Sequence, residues 1–551
     1  MTTPATSPAP RPPAGFRVGP LLLALLAGVA HAVSLATPWD GAPHWALQLL
    51  ALALLPALLH RAGNVRQAAA LGWLFGTAWL ATTFGWLFTS MHTYGGLAAP
   101  LAALAVLALA AFLALYWALV SGVFWHFRHT TSAWVAIVFG ACVLLAELAR
   151  GQWLTGFPWG SPGYAHVDGP LAAYAQWIGV YGMGAVAGVV AAAGAQLVLQ
   201  VLRRTPGGAR TALRRAAPPA LLVLGLGAVL PRLLDAVPAT TDRAEHSAGT
   251  LAMTLLQGNI PQDEKFQPGT GVPLAMAWYG AALRAADTPL VVAPETALPL
   301  LPYEMPPGYW AALAAHFQRG ESPTAALLGV PLGSFEAGYT NSVVALAPGQ
   351  TEAQTYRYDK HHLVPFGEFI PPLFKWFVRL MHIPLGDFSR GAVPQASFEF
   401  AGQRLAPNVC YEDLFGEELA ARFINPATAP TMLVNVSNLA WFGHGQAIDQ
   451  HVQISRLRTL ELARPMVRAT NTGATVVIDH QARVLAELPR ATRGRLRAEA
   501  EGRTRITPYA WLAARTGLWP WWLAGLLVLG LGWLRRGRRV KHNPPPIHEQ
   551  G

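Results

Sequence analysis

In the stretch Leu405-Ala-Pro-Asn-Val-Cys410-Tyr-Glu-Asp413, an apolar approach runs up to a thiol and acids follow at once. This is the pattern of a strand that ends and presents its last side chain above a sheet, where α/β enzymes place their functional groups. A cysteine in such a run is equally compatible with packing, because free Cys is among the most buried residue types. Two other runs stop in the same way. Leu290-Val-Val-Ala-Pro294 closes on Glu295, and Tyr356-Arg-Tyr-Asp359 closes on Lys360. A carboxylate, an ammonium and a thiol at three strand ends form a chemically complete set. The thiol is the nucleophile, the carboxylate takes its proton and relays one later, and the ammonium lowers the thiol pKa and stabilises an oxyanion.

Around these runs the periodicity alternates between strand and helix. Strands are expected near 251–257, 290–294, 325–330, 341–347, 355–359, 431–437, 467–470, 474–479 and 483–488. Helices are expected near 272–286, 308–318, 416–424 and 447–463. The pattern predicts an α/β layered domain over 245–510, with function at strand ends.

The rest of the chain is of another kind. Hydrophobic residues make up 53% and charged residues 13% of the sequence; the latter is about half the globular average. The excess of apolar residues sits at the two ends. Residues 1–18 read as a disordered Pro- and Ala-rich tail, 19–236 as a seven-span bundle, 519–534 as a last span and 535–551 as a basic tail. The spans are expected at 19–36, 45–60, 68–90, 97–125, 132–149, 170–202 and 217–236, each near the length that crosses about 30 Å of hydrocarbon. The first also fits a signal peptide, with small residues at Ala30-His31-Ala32.

Charge alternates between the loops. Arg11, Arg17, Arg61, Arg66, Arg128, Arg203, Arg204, Arg210, Arg214 and Arg215 fall on one side, whereas the intervening loops hold only Arg150. Positive loops stay in the cytoplasm, so both termini are expected inside and the 245–510 domain outside. The formal net charge of +11 is largely juxtamembrane, which argues against nucleic acid as a partner. Of the two cysteines, Cys142 falls within a predicted span, so Cys410 is expected to be a free thiol. The outer loop 151–164 is aromatic and rich in Gly and Pro. Together with Glu147 and Arg150 it reads either as a packed turn or as a wall of a lipid-access site.

Pro294-Glu295, Asp359-Lys-His-His-Leu-Val-Pro-Phe-Gly-Glu368 and Cys410-Tyr-Glu412 resemble the three catalytic signatures of the nitrilase (carbon–nitrogen hydrolase) superfamily. The chain as a whole resembles the apolipoprotein N-acyltransferase family within it. Supporting stretches are Leu154-Thr-Gly-Phe-Pro-Trp159, Gln257-Gly-Asn-Ile-Pro-Gln262, Val436-Ser-Asn-Leu-Ala-Trp-Phe-Gly443, Arg468-Ala-Thr-Asn-Thr-Gly473 and Thr507-Pro-Tyr-Ala510. The resemblance implies an αββα sandwich outside the cytoplasmic membrane of a bacterium, beside about eight spans.

The same resemblance implies Glu295 as general base, Lys360 as transition-state stabiliser and Cys410 as nucleophile. Glu368 would support the lysine, and Tyr411 and Glu412 match a pair after the nucleophile that the family also needs. The implied reaction moves an acyl chain from a phospholipid, typically phosphatidylethanolamine, onto Cys410. The chain then passes to the α-amine of an S-diacylglyceryl-cysteine at a lipoprotein N-terminus. No metal or nucleotide is implied. Two departures, Leu439 where the family often has Asp and Phe266 where Trp is common, bear on the pocket with Trp441 and Phe442 rather than on the triad. The aromatic segment 366–384 is expected to be an interfacial lid. Alternatives are a membrane-tethered amidase using the same triad and a catalytically inactive membrane scaffold.

Overall fold

The computed structural model describes residues 18–129, 132–202, 246–319, 323–370, 388–443 and 445–542. From residue 247 the chain lays down β1 (Ser247–Gln257), β2 (Leu290–Val292), β3 (Ala325–Ser334), β4 (Gly338–Leu346), β5 (Tyr356–Asp359) and β6 (Phe398–Phe400). There follow β7 (Gln403–Val409), β8 (Met432–Ser437), β9 (Met466–Thr470), β10 (Val476–Ile478), β11 (Val484–Glu487) and β12 (Gly494–Arg503). They form two six-stranded sheets, in the orders β12-β1-β2-β3-β4-β5 and β11-β10-β9-β8-β7-β6.

Side-chain alternation explains why the central strands read as continuous apolar runs. Leu290 and Val292 face the space between the sheets, against Leu255, Leu327, Val409, Val434 and Val436. Val291 and Ala293 point the other way, into a layer with Ala275 and Leu283 of helix Gly271–Arg284 and Leu313 and Phe317 of helix Tyr309–Gln318. With both faces covered, every position of such a strand is apolar. β1, β2 and β3 run parallel, as do β7, β8 and β9. Crossover connections thus bring the ends of β2 and β7 to one rim of the sandwich.

Two strands lie where none was expected. β6 is a three-residue edge strand beside β7. β12 pairs antiparallel with β1 from Leu251 opposite Ala500 to Gln257 opposite Gly494. It alternates exposed Arg495, Arg497, Glu499 and Glu501 with Leu496, Ala498 and Ala500, so one leucine and two alanines are the apolar mark of its inner face.

The outer face of the second sheet is covered by helix Gln446–Leu462, and beyond it lies the N-terminal bundle. One apolar cluster runs without a break from Leu52, Phe75, Trp117 and Phe139 to Ala406, Tyr411, Leu433, Leu457 and Tyr509. The bundle is therefore the fourth layer's backing as well as an apolar body.

Three helices are long and apolar enough to cross a membrane: Ala99–Trp125, Ala133–Thr155 and Ala172–Leu202. A fourth arises if Pro508–Thr516 and Trp519–Arg536, bent by 93°, act as one span. Val18–Val33 and Trp45–Arg61 are apolar but shorter. The expected count of about eight is thus not reached among the described residues. The run 68–90 breaks because helix Val65–Thr83 stops at Phe84 and the chain continues through a turn to the π-helical Ser90–Tyr94. The expected span 217–236 and tail 1–18, apart from Val18, lie outside the described residues, as does 543–551.

Candidate active site

β7 ends at Val409, and Cys410 turns sharply with φ +52°. A non-glycine residue in the left-handed region costs about 1–2 kcal/mol, so the turn must be held from outside. Asn435 Nδ2 donates to the Cys410 carbonyl at 3.2 Å. Glu412 reaches back to accept from Val409 N at 2.7 Å. The same Glu412 carboxylate accepts from Tyr358 OH at 2.8 Å, His361 N at 2.7 Å and His362 N at 3.2 Å. It therefore ties the cysteine turn to the segment that carries Lys360.

Below the turn, the wholly buried Asp413 meets His451 Nε2 at 2.8 Å, Ser455 Oγ at 2.5 Å and Arg468 Nη1 at 3.0 Å. Burial works against the Asp413 carboxylate, but these three partners outweigh it and hold it below the usual range.

Glu295 leaves β2 on another constrained turn, with Thr296 at φ +45°. Gly329 on β3 makes room for it: a Cβ there would lie 2.6 Å from Thr296 N. Glu295 Oε1 accepts from Asn341 Nδ2 at 2.7 Å and lies 3.4 Å from Lys360 Nζ, while Oε2 accepts from Asn438 N at 3.0 Å. Lys360 follows β5 and donates to Glu368 Oε1 at 2.9 Å. Asn341 Nδ2 also reaches Glu368 Oε1 at 2.8 Å, and Val364 N donates to Glu368 Oε2 at 2.9 Å. One amide thus spans both carboxylates and fixes their spacing.

Cys410 sits in the field of Glu295, Lys360 and Glu368. Lys360 acts on the Cys410 thiol in the expected downward direction but is outweighed. Burial pushes Cys410 well up, Glu295 adds to this, and Lys360 only opposes it. The resting group is a thiol. Burial also works against the Lys360 ammonium, yet Glu368 and Glu295 outweigh it and keep it charged.

The remaining candidates lie around this centre. Tyr411 points into the bundle: its OH donates to the Gly156 carbonyl at 3.1 Å, and its ring stacks on Phe157 at 6.1 Å. Trp441 meets Tyr94 of the π-turn edge-on at 5.8 Å, and Phe442 meets Trp86 at 4.4 Å. Both touch the bundle, and Phe442 also packs against the apolar cluster between the sheets that includes Cys410. Phe266 is 45% exposed. Leu439 is wholly buried in the core between the sheets, against Gly473. Of the expected lid over 366–384, 371–384 lies outside the described residues.

The loop after Gln152 is a joint. Arg150 pairs with Glu147 at 2.5 Å, both wholly buried, and donates to the carbonyls of Phe157 and Trp159. Trp159 Nε1 then reaches Gln450 at 2.6 Å, and the Thr155 carbonyl reaches His362 at 3.0 Å. Sequence reasoning missed Asn341, Asn438 and Lys265. Lys265 is wholly buried and donates to the Glu295 carbonyl at 3.1 Å. It stands in Asp263-Glu-Lys-Phe266, which looks like a solvated turn.

An αββα sandwich with a glutamate, a lysine and a cysteine at converging strand ends defines the carbon–nitrogen hydrolase class. Residues 253–508 match the family described as "Carbon-nitrogen hydrolase", and residues 27–193 match "Apolipoprotein N-acyltransferase N-terminal domain". Among curated proteins, "Apolipoprotein N-acyltransferase" of Verminephrobacter eiseniae is 56% identical over 513 residues, covering 90% of this chain and 92% of that protein. The protein of the same name from Ralstonia nicotianae is 44% identical over 525 residues, covering 94% of each. A solved carbon–nitrogen hydrolase from Helicobacter pylori is 16% identical, covers 50% of this chain and 95% of its own, and superposes with a TM-score of 0.33. The chain belongs to the apolipoprotein N-acyltransferase family and is an acyltransferase.

Proposed function

We propose that the protein moves an acyl chain from a membrane phospholipid, through a thioester on Cys410, to the N-terminal α-amine of an S-diacylglyceryl lipoprotein. The observation that carries this reading is the convergence of Glu295, Lys360 and Glu368 on Cys410 beside an apolar body continuous with the bundle. Glu295 takes the Cys410 proton, and the sulfur attacks the ester carbonyl of the phospholipid. The oxyanion forms beside the Lys360 ammonium, which Glu368 and Asn341 hold in place. Collapse breaks the ester C–O bond, and Glu295 returns its proton to the departing lysophospholipid.

In the second half, the neutral α-amine attacks the thioester and gives a proton to Glu295. The C–S bond breaks, an amide forms, and the thiol regains its proton. Phosphatidylethanolamine is the donor the family resemblance favours. We place 245–510 outside the cytoplasmic membrane, with about eight spans and both termini inside, on the charge pattern of the loops.

The test uses the full chain in phospholipid vesicles. Mass spectrometry should find an acyl adduct on Cys410, and a diacylated lipopeptide should discharge it into a triacylated product. Discharge only to free fatty acid would favour the amidase reading. Acyl transfer by Cys410→Ser would sink the nucleophile assignment.

A further inference from the structure

Lys265 is a wholly buried lysine that the reaction above leaves unused. Its Nζ donates to the backbone carbonyl of Glu295 at 3.1 Å and to Thr296 Oγ1 at 2.6 Å. The Phe266 ring lies 5.6 Å from it. Among the described residues no carboxylate forms an ion pair with it, whereas Lys360 has two. An ammonium buried without a carboxylate partner is costly, so a packing role alone explains it poorly.

The charges around the thiol suggest a reason. Two carboxylates, Glu295 and Glu368, meet one ammonium, Lys360. Once Glu295 has taken the Cys410 proton, Glu368 and Lys360 are the members of this set still charged and they cancel, so with Lys360 alone the sulfur anion has no surplus cation beside it. Lys265 adds a second positive charge, and it interacts electrostatically with both Glu295 and Cys410. The sulfur anion then forms in the field of two ammonium groups, Lys360 and Lys265, rather than one.

We propose that Lys265 is the counter-cation of the catalytic centre, a positioning residue that holds the Glu295 turn and lets the sulfur anion form. The proposal rests on Cys410 and Glu295 being nucleophile and base. Lys265 touches the backbone of Glu295, not the reacting atoms. The titratable groups that face it are Glu295 after β2 and Cys410 after β7, while Asp263 and Glu264 on its own turn are exposed. Burial pulls Lys265 down to about 8, with Glu295 and Cys410 opposing. Its charge is present below that value and lost as pH rises through it, so acyl loading should fall on the alkaline side.

The test has two readouts on the full chain: the pH profile of Cys410 acylation in phospholipid vesicles, and the rate of Cys410 alkylation by iodoacetamide at neutral pH without substrate. Lys265→Met should load roughly tenfold to a hundredfold more slowly, lose the alkaline fall, and alkylate about tenfold more slowly, one pKa unit of thiol shift. Lys265→Arg keeps the charge in a larger side chain and should alkylate faster than Lys265→Met. The proposal is overturned if Lys265→Met alkylates at the wild-type rate or keeps the alkaline fall, or if Arg is no better than Met.

Should the Lys265 variants not fold, Phe266→Trp decides. A stronger cation–π partner stabilises the ammonium and should move the fall to higher pH; an unmoved fall overturns the idea. Loading in Cys410→Ser would instead show that the nucleophile is wrong, whatever Lys265 does.

Discussion

Two ionic clusters bracket the same turn. Above Cys410 lie Glu295, Glu368, Lys360 and Asn341; below it lie Asp413, His451, Ser455 and Arg468. Each gathers carboxylate (two groups above, Asp413 alone below), a cation and a neutral donor within hydrogen-bond reach. By residue type the lower set even contains a serine, a histidine and an aspartate. They differ in where their partners are spent. In the lower cluster every member is wholly buried, and both oxygens of Asp413 are taken by fixed partners. His451 donates from Nε2 and receives the Arg468 guanidinium at Nδ1, 3.0 Å away, which makes it a neutral spacer rather than a base. In the upper cluster Glu295 and Glu368 keep a sliver of exposure, each 9%. Burial and charge alone do not mark chemistry; on the function proposed above, what marks it is a carboxylate beside the thiol that keeps some exposure.

The largest effect should come from the upper cluster. Glu295→Gln keeps the shape and the Asn341 contact but cannot take the thiol proton. Acyl loading should drop by about 10² to 10⁴-fold, the usual share of a general base. Thermal unfolding in detergent should move little, since Lys360 keeps its closer carboxylate partner, Glu368, at 2.8 Å. A loading rate within threefold of wild type would place Glu295 with the structural acids.

Arg468→Met probes the lower cluster and should show the opposite split. It leaves Asp413 with His451 and Ser455 alone in a site without water access. Removing one partner of a buried pair costs about 3–5 kcal/mol, or roughly 10 °C in the unfolding midpoint for a domain of this size. The protein that remains folded at low temperature should still load Cys410 at a rate within about tenfold of wild type. If loading vanishes while the midpoint holds, the lower cluster takes part in the chemistry and the contrast fails.

This contrast also separates what the sequence made legible from what it hid. Glu295 and Cys410 each follow an apolar run that must be a strand buried on both faces, so their placement at strand ends is local information. Lys360 follows a shorter, mixed strand, and the motif around it carried more weight than its periodicity. Asn341, Asn438 and Lys265 were invisible because nothing local distinguishes a bridging amide or a buried ammonium from a solvated one. Asp413 and Arg468 are 55 residues apart and meet only when β7, β8 and β9 pair side by side. β12 was missed for a related reason: its inward residues are mostly alanine, so the alternation that defines it carries little hydrophobic signal.

Tyr411 belongs to neither cluster, which makes it the finest probe of the boundary between them. Its hydroxyl donates to the Gly156 carbonyl of the bundle joint, and its ring packs on Phe157 and Phe415. Tyr411→Phe keeps the ring contacts and deletes one buried hydrogen bond, worth about 0.5–1.5 kcal/mol. The midpoint should fall by roughly 2–4 °C. Loading should fall less than tenfold, because Glu412, Asn435 and the Asp413 set still hold the turn. A catalytic loss as deep as that of Glu295→Gln, with the midpoint unchanged, would mean that the hydroxyl acts on substrate. In that case the joint between bundle and sandwich would be part of the active site rather than its support.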